Sequence, residues 1–157
     1  MYHSAQDIAA FLFNLTPYNS TDEADELSWS KLKCLLYYAQ GFALVRLGRP
    51  FFEEDFTRGP NEYSPLVLGS IDELYSAYGG APIPHRGVYH DGLDKEELGL
   101  INDVYDMFGI YTPAALKSMA LASHPVRRAS PGWIIPKRTM KSYFRNEYFT
   151  EDWKNGR

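Results

Sequence analysis

The chain has one cysteine, Cys34. That excludes an internal disulfide and a cysteine-built zinc site, and it fits a reducing compartment. Long apolar runs are also missing. The longest uncharged stretch of the most apolar segment, residues 34–45, is 12 residues, well short of the ~20 that cross a bilayer as a helix. The opening MYHSAQDIAAFLF has no basic start of the signal-peptide kind and carries Asp7 instead, so a cytoplasmic protein is expected. There is no Gly-rich phosphate loop, no Gly-x-Ser-x-Gly elbow and no His-Glu-x-x-His pair. Internal repeats and low-complexity segments are lacking too. Neither an enzyme nor a cofactor is expected.

What is present describes a globular domain. Apolar residues make up 45% and charged residues 23% of 157, a composition able to bury a core, so 1–157 reads as a single domain. Residues 147–157 are expected as a tail. The 12 Tyr, 9 Phe and 3 Trp suit a core that reaches the surface, or a binding face. Charge is unevenly distributed. Residues 1–120 hold 8 Lys/Arg against 17 Asp/Glu, a net of −9, whereas 121–157 hold 8 against 3, a net of +5. Such a basic end suits a partner, or the chain's own acidic body.

Cap signals recur along the chain and point to a mainly α fold of about five to six helices around a buried central one. Ser4 with Asp7 makes a capping box for a helix over 5–14. Ser28 opens a helix from Trp29 to about Leu47, ended by Gly48 and Pro50. This helix is apolar almost all round, which marks it as central. Gly41 in its middle costs ~1 kcal/mol against alanine, which implies a close helix crossing. Phe51 to Arg58 reads as a short strand or irregular arm. Ser64-Pro65 predicts a helix over 65–78, and Asp94 with Glu97 predicts one to Phe108 with Leu98, Ile101, Val104, Tyr105 and Phe108 on one face. Thr112-Pro113 opens a helix over 113–122. A basic loop to Pro136 and a last helix over 137–146 follow.

Candidate chemistry is sparse. His85, His90 and Asp91 could form a weak metal site in a polar loop, but no third strong ligand stands near, and no metal is expected. Cys34 sits mid-helix among apolar residues, where a thiol is unreactive. Gln40 should be a buried polar group with a partner. The last helix carries Lys137, Lys141 and Arg145 at four-residue spacing, with Arg138 beside them and Met140, Tyr143, Phe144 and Tyr148 opposite. Arg127, Arg128 and Trp133 precede it. Interleaved cations and aromatics suit nucleic acid, an acidic protein surface, or a face docked on the chain itself. The acidic runs at 22–26 and 53–55, the second beside Phe51 and Phe52, suit solvent or a basic partner. The candidate binding residues are therefore Phe51, Phe52, Glu54, Arg127, Arg128, Trp133, Lys137, Lys141 and Arg145.

LKCLLYYAQGF at 32–42 resembles the LQKLLYYAQGW helix of the Panacea-domain antitoxins. LGRPFF at 47–52 is similar to that family's YGKPLF turn. Phe56 stands three residues before Gly59-Pro60 where the family usually has tryptophan. Residues 74–79 and 98–112 resemble its "Y..F..YG" and "L..V...YG..T" segments, Ser123-His124 its "SH", and Trp133 its later tryptophan. The likeness covers about residues 5–149; Asn61 after Gly59-Pro60, and the spacing from Arg127 to Trp133, depart from it. The resemblance implies a small helical protein of bacteria or prophages, with no catalysis, that neutralises a cognate toxin by direct contact. One branch of the family acts as an adaptor delivering its toxin to a protease. A nucleic-acid-binding regulator using the basic C-terminal face is the alternative.

Overall fold

A computed structural model describes residues 3–16, 26–84 and 92–150. It is mainly helical. Helix α1 (Ala5–Leu15) opens with the expected capping box between Ser4 and Asp7 and buries Ile8, Ala9, Leu12 and Phe13. Helix α2 (Trp29–Arg46) is capped by Ser28, whose hydroxyl accepts from the Lys31 N–H. Every residue from Lys31 to Leu44 is buried, so α2 is the axis of the molecule. Gly48 follows at φ 70°, the left-handed conformation that stops a helix without a Cβ penalty.

After α2 the chain runs without regular structure through Phe51, Phe52 and Phe56, all buried. An antiparallel hairpin follows, β1 (Thr57–Asn61) with β2 (Ser64–Val67), in the register Thr57↔Val67 and Arg58↔Leu66. The expected helix over 65–78 is thus corrected. Proline near the start of a segment suits a strand as well as a first helical turn, and here the β1 ladder takes the backbone of 64–67. Only glycine fits at position 59, because a Cβ there would lie 1.6 Å from the Ser64 carbonyl oxygen. Helix α3 (Gly69–Tyr75) begins later and ends in a single 3-10 turn, Ser76–Tyr78. Leu74 in this helix is exposed.

Helix α4 (Lys95–Phe108) has the predicted Asp94–Glu97 capping box. Its buried face carries Leu100, Ile101, Val104 and Phe108, while Leu98 is exposed and Tyr105 half-buried. The apolar stripe is centred further round the helix than the sequence suggested. Helix α5 (Pro113–Ala122) lies where Thr112-Pro113 predicted. The supposed basic loop begins as a one-turn helix, α6 (His124–Arg128). Residues 132–135 then lie along the free side of β1: Gly132 N–H donates to Arg58 O, Arg58 N–H to Trp133 O, and Ile135 N–H to Phe56 O. Helix α7 (Lys137–Tyr148) closes the fold, and Phe149 beyond it is buried. Residues 147–149 are therefore packed structure rather than tail; 151–157 lie outside the described residues.

Helix α7 crosses α2 at Gly41, as the glycine implied. A Cβ there would meet the Phe144 ring at 2.2 Å. Phe144 is fully buried, with its ring 5.4 Å from that of Tyr37 and 5.8 Å from that of Tyr38. Two effects oppose each other at this glycine. Alanine gains about 1 kcal/mol of helix propensity, while forcing an extra methyl into a packed core costs about 1–3 kcal/mol. A contact as short as 2.2 Å makes the second win. We predict that Gly41→Ala lowers stability in denaturant titration and that pairing it with Phe144→Leu recovers part of the loss; a more stable Gly41→Ala protein would contradict this packing.

Candidate partner-binding face

Gln40 is the polar anchor for the segment after α2. Its Oε1 accepts from the N–H groups of Phe51 at 2.8 Å and Phe52 at 3.4 Å, and its Nε2 donates to Phe52 O at 2.7 Å. With their backbone held this way, the Phe51 and Phe52 side chains point into the core and leave the candidate surface. Glu54 has an internal task as well. Its carboxylate accepts from Ser70 N–H at 2.9 Å and from the Ser70 hydroxyl, capping α3 from a distance where that helix has no cap of its own.

Lys137 is self-docked. Its ammonium reaches Asp55 and the Glu53 carbonyl, both at 2.6 Å. The pair is partly exposed and worth ~0.2–1 kcal/mol, but it fastens the start of α7 to the acidic arm. The remaining cations differ. Among the described residues no carboxylate stands within ion-pair distance of Arg127, Arg128, Arg138, Lys141 or Arg145. All five belong to α6 and α7, and all but the half-buried Lys141 are exposed.

Trp133 is held close to this region by its own backbone, with its O accepting from Arg58 N–H at 2.8 Å and its N–H donating to Ser130 O at 2.9 Å. The indole is nevertheless 64% exposed, and the neighbouring Ile134 is 59% exposed. Ile134 was not singled out from the sequence, where it reads as one of two identical core residues; only the pairing with Thr57 shows that Ile135 turns inward and Ile134 out.

The junction of α5 and α6 is also pinned to α2. Ser123 Oγ donates to Ala120 O at 2.6 Å, leaving its oxygen to accept from the Tyr37 hydroxyl at 2.8 Å. Beside this junction a groove of about 600 Å³ runs along α7, from His124 and Arg138 past Tyr143 to Asn146 and Glu147. Burial, then the nearby Glu147 carboxylate, pushes the Tyr143 hydroxyl above its ordinary range, so it stays a neutral donor at physiological pH. The sequence carried no signal for this groove, because His124 and α7 meet only in three dimensions.

Elsewhere the chemistry is structural. Lys33 is buried, its ammonium bonded to Leu66 O at 2.7 Å and Asp72 at 2.9 Å, and 4.3 Å from the centre of the Trp29 ring. His3 and Arg49 both meet the buried Glu97, at 3.0 and 3.1 Å. The space beside Cys34 is about 10 Å³, too small for a substrate. Among the described residues no three His, Cys, Asp or Glu side chains are placed to share a metal ion; His85, His90 and Asp91 lie outside those residues. Among the described residues, no helix is long and apolar enough to cross a membrane.

No protein-family model, curated protein or solved structure matches the chain.

Burial pushes the Cys34 thiol up to about 12, so its thiolate is scarce at neutral pH. A thiol reagent at pH 8 should leave Cys34 unmodified in the native protein and label it fully in denaturant. Rapid native labelling would show that the α2 core opens readily.

Proposed function

We propose that this chain is an antitoxin-type protein that neutralises a partner toxin by direct contact through α6, the 129–136 connection and α7. The observation that carries the reading is Trp133, a large apolar side chain left in water on a backbone that hydrogen bonds hold rigid. Tryptophan and arginine in such a setting are the usual energetic anchors of protein interfaces. Five cations on the adjoining helices, without carboxylate partners among the described residues, supply a polar rim and electrostatic steering. The likeness of residues 32–42 to the Panacea-domain helix supports the same reading, with a cytoplasmic setting and no catalysis. In that family a protease can be the second partner.

The expected outcome is co-purification with the product of a neighbouring gene, and rescue of growth when that product is expressed alone and toxic. Trp133→Ala should weaken the complex about tenfold or more while leaving the melting temperature within a few degrees. A complex unchanged by Trp133→Ala would place the contact elsewhere; no complex and no rescue with any neighbour would remove the antitoxin reading.

A further inference from the structure

We propose that the groove between α6 and α7 receives an acidic segment of the partner protein, its carboxylates against Arg138 and an apolar side chain over Tyr143. This rests on the antitoxin reading for who the partner is, but not for the chemistry of the groove. The groove spans the ten residues from Arg138 to Glu147 on one helix, about 13 Å along the axis at a rise of 1.5 Å per residue. That accommodates about four residues of extended chain at 3.3 Å each.

The two ends of the groove differ in charge. At the Arg138 end the guanidinium is exposed and has no ion pair among the described residues. Helix α7 also starts there at Pro136 without a side-chain cap, whereas α1, α2, α4 and α5 each have one. Its helix dipole adds positive potential to the same end, beside the Lys137–Asp55 pair. At the far end Glu147 repels a carboxylate. An acidic segment is thus held in one orientation, with its charges toward Arg138. Tyr143, half-buried with a neutral hydroxyl between the two ends, offers a ring face and a hydrogen-bond donor to the middle of the segment.

The test is fluorescence anisotropy on the full chain with three labelled ligands of similar length: a glutamate-rich peptide carrying one leucine, its lysine-rich counterpart and a single-stranded oligodeoxynucleotide. The glutamate peptide should bind, more weakly as salt rises. Arg138→Glu should weaken it about tenfold and Glu147→Lys should tighten it, with thermal melts unchanged because both side chains are exposed. Opposite signs from two surface changes are not what a fold defect produces. Failure of the glutamate peptide to bind at low salt, indifference to both variants, or tighter binding of the oligonucleotide would each overturn the proposal. A toxin complex that ignores both variants overturns it and leaves the antitoxin reading in place. Peptide binding with the expected signs but no toxin among the neighbours supports the groove and removes that reading.

Discussion

A helix buried on every side cannot choose its own rotation by hydrophobicity, because burial is non-directional and each face of α2 is about as apolar as the next. The choice falls to its polar side chains. Lys31 donates to the Gly109 carbonyl at the end of α4, Lys33 to the Leu66 carbonyl in β2 and to Asp72 in α3, and Gln40 to the backbone of Phe52. Three side chains on one helix thus fasten four separate parts of the chain. Turning α2 about its axis would leave two ammonium groups buried without partners, which costs several kcal/mol each.

With α2 held in one rotation, Gly41 faces the place where Phe144 must go, and α7 descends to it. That depth sets the outer side of α7. Met140 and Phe144 fill the core, so Arg138 and Arg145 face outward, while Lys141 is half-buried. The Tyr37–Ser123 bond does the same for α6, whose His124 and Arg127 then border α7. The basic face is a consequence of where the aromatic side chains of α2 and α7 meet.

Much of this could be read from the residues. Caps are local chemistry, so Ser4–Asp7, Ser28, Asp94–Glu97 and Thr112-Pro113 located four helices to within a residue or two. Gly41 and Gln40 are costly in a buried helix, and each therefore signalled a partner. The hairpin was not legible, because the pairing of 64–67 depends on β1 and on Lys33 rather than on Ser64-Pro65. Phe51 and Phe52 look like a sticky arm until Gln40 is seen holding their backbone. Lys137 looks like Lys141 until Asp55 is found beside it. The groove joins residues from two helices, so its geometry is tertiary and leaves no spacing pattern.

The strand-like segment at 132–135 has one further consequence. Its pairing with β1 turns the N–H and C=O of Ile134 outward, an open sheet edge next to two exposed apolar side chains. Such an edge invites other copies of the chain to add to it. Pro131 and Pro136 bracket it, and neither can donate to an added strand, so the accessible edge is too short to template a ladder. The protein can thus keep Trp133 and Ile134 uncovered without that edge seeding fibres.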